Sequence, residues 1–237
     1  MAQIVKRGYV HSDEIEFNNK NMILLKQAQV DICYLLNHGY KLDKTVEFIG
    51  NHFLFSARQR LALKRVISSK EDVNRRKKYE LIDSYDGSTV HIDGLNIIIT
   101  LEVALSNSTL LKCMDGTLRD LAGLRGTYKL IDKTDTAIEL IGSKLNEMKI
   151  KKAVFYLDSP VSNTGRLKLR ILELLDKYDF DVAVLLVPNA DVILSKLNHV
   201  ITSDGIILNT CSSWINLTYE IINEHLPHAH YIDFQIS

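Results

Sequence analysis

Three short apolar runs beyond residue 87 of this 237-residue chain each stop at an aspartate: T-V-H-I-D at Asp93, A-V-F-Y-L-D at Asp158 and V-I-T-S-D at Asp204. A fourth, Asp191, follows the run 182–187 at the start of an expected helix. Between these runs lie amphipathic segments at helical spacing, near 95–105, 132–148, 165–178, 190–197 and 213–225. Strands alternating with helices predict a mainly parallel, Rossmann-like sheet covered by helices on both faces. Further strands are expected at 110–114, 182–187 and, more weakly, 230–234. In such sheets the ligand crevice lies outside the carboxyl ends of the strands. Acids that end successive strands therefore converge on one edge, whereas a single aspartate after a strand needs only to cap a turn or helix.

The first 86 residues read differently. Ile23, Leu24, Ala28, Ile32, Leu35 and Leu36 recur at helical spacing up to His38, and Gly39 stands where a left-handed terminator belongs. A shorter helix is expected over 43–49, stopped by Gly50. Ser56-x-x-Gln59 is a capping box opening a third helix to about Ile67. The expected organisation is a small all-α, helix-turn-helix-like module at 1–86 followed by an α/β domain at 87–237, with Asp86-Gly87-Ser88 as the boundary turn.

Charge divides along the same line. Residues 1–86 carry 15 basic and 11 acidic side chains, and residues 87–237 carry 14 and 18. The basic excess collects in Arg58, Arg60, Lys64, Arg65, Lys70 and residues 75–78. Such a face fits contacts to a phosphate backbone, and fits equally a solvated helical surface. Three widely spaced cysteines without a C-x-x-C pair indicate reduced, buried thiols rather than a disulfide framework or thiolate zinc site. No apolar run approaches the ~20 residues of a membrane span. The first residues lack the apolar core of a signal peptide, so a cytoplasmic protein is expected.

Two segments stand out from the alternation. Residues 115–129, D-G-T-L-R-D-L-A-G-L-R-G-T-Y-K, are long for a strand-to-helix connection. There Arg119 and Arg125 are candidate phosphate contacts and Asp115 or Asp120 candidate members of the acidic group, the alternative being a local ion-pair network. Residues 159–166 open a helix with Ser162, Asn163 and Arg166, which reads either as an anion site or as a capped turn. His225, His228 and His230 do not follow a standard metal-ligand spacing.

Gathered carboxylates repel one another unless a hard divalent cation joins them, and Mg²⁺ or Mn²⁺ held this way commonly works on phosphate esters. The motifs I-D-G-L-N at 92–96, F-Y-L-D-S-P at 155–160, N-A-D-V-I-L at 189–194 and I-T-S-D-G at 201–205 resemble the successive acidic motifs of PIN-like nucleases. The first motif is nearest the NYN branch and the second the flap-endonuclease branch. The resemblance covers roughly residues 88–210. It implies a PIN-like fold and a Mg²⁺- or Mn²⁺-dependent nuclease, with Asp93, Asp158, Asp191 and Asp204 as metal ligands and catalytic acids, Asn96 as a supporting polar group and Glu102 as a further acid. The whole chain also resembles a family of uncharacterised prokaryotic proteins in which an R-Q-R-x-A-L-x-R pattern, here Arg58 to Arg65, precedes such a domain. The expected function is phosphodiester hydrolysis on RNA or single-stranded DNA, with RNA favoured. The alternatives are a non-catalytic nucleic-acid-binding protein of the same fold and a nucleotide phosphohydrolase.

Overall fold

The computed structural model describes residues 5–83, 85–123 and 126–235. The N-terminal region is helical: α1 (Asp13–Glu16), α2 (Asn19–Asn37), α3 (Leu42–His52), α4 (Ala57–Val66) and α5 (Lys70–Tyr79). The rest alternates, with β1 (Thr89–Asp93), α6 (Gly94–Leu105), β2 (Leu110–Lys112), β3 (Leu118–Asp120), α7 (Thr134–Glu147), β4 (Lys152–Asp158) and α8 (Thr164–Leu175). It continues through β5 (Asp181–Val187), α9 (Ala190–Leu194), β6 (Val200–Ile201), α10 (Gly205–Leu208), β7 (Trp214–Ile215), α11 (Leu217–His225) and β8 (Tyr231–Asp233).

Five strands form one all-parallel sheet in the order β5-β4-β1-β6-β7. The α/β, Rossmann-like class expected from the alternation is the class observed. Strand β4 shows how the sheet buries both faces: Ala153, Phe155 and Leu157 join the core under α6, α7, α8 and α11, while Val154 and Tyr156 join the core under α9 and α10. That is the two-residue alternation of a strand covered on both sides. The strand β7 was not foreseen; its two residues, Trp214 and Ile215, are fully buried and extend the sheet one strand beyond β6.

Strands β2, β3 and β8 do not join this sheet. They form a separate three-stranded one, with β3 antiparallel and β8 parallel to β2. The segment expected to be one long irregular connection therefore begins as a hairpin, turning at Asp115 and Gly116. This small sheet closes the core of the helical region: Leu111, Cys113, Leu121, Ile232 and Phe234 pack with Leu25, Ile32, Val46 and Leu63. Gln29 of α2 donates to the Phe234 carbonyl at 2.6 Å, fastening the N-terminal helices to the last strand.

Local signals explain most helix ends. Asn18 caps α2 through Asn21 N–H, Gly39 follows it with φ of +86°, and both reciprocal bonds of the Ser56/Gln59 capping box are present. Two expectations change. Ile23 faces solvent, and Gly50 does not stop α3, which runs on to His52. A β-carbon at Gly50 would stand 3.0 Å from the Arg60 side chain, so the glycine serves close packing against α4 rather than termination. No described helix is long and apolar enough to cross a membrane.

Candidate acidic site and the cleft beside it

In the sheet order, chain connectivity runs one way from β1 through β4 to β5 and the other way from β1 through β6 to β7. The reversal falls between β1 and β6, where open α/β sheets form their ligand crevice. Asp93 ends β1 and Asp204 follows β6, so the two acids flank that gap. Gly94 lets the helix after Asp93 start at once: a β-carbon there would lie 2.6 Å from Leu157 Cδ2 and 3.2 Å from the Tyr156 carbonyl oxygen.

Hydrogen bonds stitch the gap. Thr202 Oγ1 donates to Asp93 Oδ2 at 2.9 Å, and Asn96 Oδ1 accepts from both the N–H and the hydroxyl of Ser203 at 2.9 Å. Asp204 caps α10, accepting the Ile206 N–H at 2.7 Å and, more weakly, that of Ile207. Asp158, at the end of β4, accepts the Ala190 N–H at 2.9 Å and so ties β4 to α9, whose first turn carries Asp191.

The acids sense one another. Burial drives the Asp93 carboxyl up to about 7, against the Thr202 hydrogen bond, and the charges of Asp204 and Asp191 add to the rise. Asp191 is raised by burial and then by Asp204 and Asp158. None of the four forms a contact ion pair among the described residues, although the Arg119 guanidinium lies near enough to Asp204 to feel its charge. Their hard oxygens, with the Thr202 hydroxyl beside them, are the donor type that Mg²⁺ and Mn²⁺ take. Among the described residues, no three His, Cys, Asp or Glu side chains are already drawn around one point in ligand geometry.

Beside Asp204 a cleft of about 480 Å³ separates the sheet edge from the helical region. Lys64, Arg65 and Arg76 come from the helical side, and Asn96, Arg119, Ser203 and Asp204 from the sheet side. Two of these residues, Arg76 and Arg119, belong to a buried charge triad. Asp115 Oδ2 accepts from Arg76 at 2.6 Å and from Arg119 at 2.5 Å, and Arg119 also donates to the carbonyls of Ser203, at 2.6 Å, and Arg65. Burial pushes the Asp115 carboxyl up, but the two guanidiniums outweigh it and hold the group low. Arg76 in addition donates to the Gly205 carbonyl, next to Asp204. One set of bonds thus fixes α5, the β2–β3 hairpin and the loop carrying Asp204 to one another.

The other residues singled out in the sequence fall elsewhere. Glu102 does not join the acids: it is fully buried against Arg7 (2.8 Å), Tyr128 (2.6 Å) and Thr134. Asp115 is neutralised in the triad. Asp120 is buried, accepting the Thr100 hydroxyl at 3.1 Å and the Ala122 N–H at 2.7 Å. Arg58 is consumed by Asp13 and by the carbonyls of Leu121 and Gly8, and Arg60 by the carbonyls at the end of α3, so neither presents an open phosphate donor. Arg65 donates to the Asp120 carbonyl at 2.8 Å and still lines the cleft. Ser162 is bridged to Thr127, and Asn163, with φ of +69°, donates to the Tyr128 carbonyl at 2.8 Å. Arg166 is exposed on the first turn of α8, outside the cleft. Arg125 lies outside the described residues. Sequence reasoning missed Thr202, Ser203 and Arg76 as site residues; the two hydroxyls had a signal, standing directly before Asp204 in I-T-S-D-G.

Comparison with known proteins adds family membership. The family model described as a domain of unknown function, DUF5616, matches residues 82–220. The chain belongs to that family. A second model, described as a protein of unknown function, DUF434, matches residues 24–78, covering most of the helical region. An uncharacterised protein of Methanocaldococcus jannaschii, MJ0935, is 33% identical over 187 residues, which is 78% of this chain and 89% of that protein. No solved structure matches.

Proposed function

We propose that this DUF5616 member is a PIN-like, metal-dependent nuclease that hydrolyses phosphodiester bonds of RNA, in preference to DNA, at the acidic sheet edge. The observation that carries the reading is the group of carboxylates outside any described ion pair at the sheet's switch point, with a polar cleft lined by Lys64, Arg65, Arg76 and Arg119 directly beside Asp204. Asp93, Asp191 and Asp204, with Asp158, would hold the Mg²⁺ or Mn²⁺ ion, which when bound supplies charge neutralisation and an acidified water. Asn96 orients the 202–204 segment through Ser203, and the Thr202 hydroxyl orients Asp93. Lys64, paired with the exposed Asp43 at 2.7 Å, and Arg65, 3.9 Å from the Asp120 carboxylate, line the same cleft and would turn to a phosphate backbone there, while Arg119, spent on Asp115 and two carbonyls, keeps the Asp204 loop in place.

The test is cleavage of a labelled single-stranded RNA with Mn²⁺, set against single-stranded DNA and free nucleotides. Expected is RNA cleavage that vanishes in the Asp93→Asn/Asp204→Asn double variant. Undiminished cleavage in that variant refutes the assignment. A cleft of about 480 Å³ is also of the size that takes one nucleotide. Turnover of free nucleotides without polymer cleavage would favour a nucleotide phosphohydrolase, and salt-sensitive RNA binding without turnover a non-catalytic binding protein.

A further inference from the structure

Among the described residues, the five-stranded sheet ends at β5 with no strand beyond it. Asp181 N–H bonds the Lys151 carbonyl and Ser159 N–H bonds the Val187 carbonyl, so residues 181, 183, 185 and 187 direct their backbone groups toward β4. In a parallel strand the alternate residues, Val182, Val184 and Leu186, then direct theirs outward. Among the described residues nothing pairs with them. Edges of this kind are ordinarily blunted by lysine, proline, a bulge or brevity. Strand β5 has none of these: it is seven residues, D-V-A-V-L-L-V, with its one charge at the first position.

The side chains point the same way. Leu186 shares the face of Val182 and Val184, which pack into the α8 core, yet it is 42% exposed, and Leu169 of α8 is 67% exposed. Leu185 shares the face of Ala183 and Val187, which pack toward α9, yet it is 44% exposed, and Val192 of α9 is 55% exposed. Uncovered apolar residues therefore rim the open edge on both faces of the sheet.

We propose that β5 is a homodimer edge, pairing antiparallel with β5 of a second copy of this chain. Outward groups at 182, 184 and 186 are symmetric about Val184, so a two-fold axis there sets Val182 against Leu186 of the partner subunit. All six outward N–H and C=O groups are then matched. Of the two helices, α8 packs on β5 while α9 lies over β1 and β4; an edge roughly 23 Å long and roughly 20 Å high, counting the sheet and that one helix layer, buries about 900 Å² in total, the size of a weak, concentration-dependent interface. A peptide ligand adding one strand would cover the backbone but leave Leu169 on α8 exposed. The pairing joins two sheets into one of ten strands and turns the two acidic edges to opposite ends.

Sedimentation velocity of the full chain over a hundredfold concentration range tests this. The expected species has twice the 27.0 kDa chain mass. Leu186→Lys and Leu185→Lys, each at an exposed position, are expected to lose the dimer while keeping the far-ultraviolet circular dichroism of the parent. Leu54→Lys, at a fully exposed position of the helical region, is expected to keep it. A monomeric parent, a dimer that survives both edge lysines, or open-ended aggregates in place of a closed pair would each overturn the proposal.

Discussion

Thr202 gives its hydroxyl proton to Asp93 across the gap where the chain reverses its direction through the sheet. That bond joins β1 to the segment after β6, and the Asn96 backbone N–H adds a second hydrogen bond to the same carboxylate. Burial outweighs both in setting when Asp93 carries charge.

Burial raises Asp93 to about 7, so in the metal-free protein the folded state holds a proton there that the unfolded chain, near 4, has released. The folded state binds more protons between those values, so stability is full below pH 4 and falls as pH rises toward 7. Asp93→Asn removes this slope while keeping an acceptor for Thr202. Urea unfolding in chelator is expected to find the variant more stable than the parent at pH 8, by on the order of 2 kcal/mol, with the difference closing at pH 4.5.

Asp115 balances two buried guanidiniums, and neutralising it strands both. Breaking a buried ion pair by removing one partner costs about 3–5 kcal/mol. Asp115→Asn is expected to lower the urea midpoint accordingly and to loosen the Asp204 loop through Arg119.

Glu102 carries a different expectation from the site acids because its oxygens are spent on Arg7, Tyr128 and Thr134. Burial and the facing carboxylate raise the Tyr128 phenol well above its usual value, so it stays a donor. Glu102→Gln is expected to cost about 2–3 kcal/mol of stability without changing the Mn²⁺ affinity. A lost metal site with unchanged stability would reverse that reading.

The basic residues divide in the same manner. Arg58→Ala breaks the mostly buried pair with Asp13 and is expected to lower stability by about 3 kcal/mol while leaving the salt dependence of RNA binding unchanged. Arg65→Ala, at the cleft, is expected to weaken binding and reduce the slope of log affinity against log salt by about 1. Fluorescence anisotropy across a salt series reads both.

What the sequence displayed was strand identity, because an apolar run ending in aspartate and followed by a helix is a local pattern. Asp93, Asp158 and Asp204 were each legible in this way. What it hid was partnership. Leu110–Lys112 looks like any other buried strand, and only the structure shows that a hairpin and β8, not a returning helix, enclose it. The arginines were visible as charge, but charge alone does not distinguish Arg76, buried on Asp115, from Arg65, open to the cleft. Gly50 looks like a stop in the sequence because the side chain that needs its space, Arg60, is ten positions away.

Calorimetric titration of the metal-free protein with Mn²⁺, beside the Asp93→Asn/Asp204→Asn variant, bears most directly on the acidic edge. Saturable binding is expected in the parent and none in the variant, with folding retained in both. A parent that takes up no Mn²⁺, or a variant that binds it as well as the parent, would rule out a metal site at these acids.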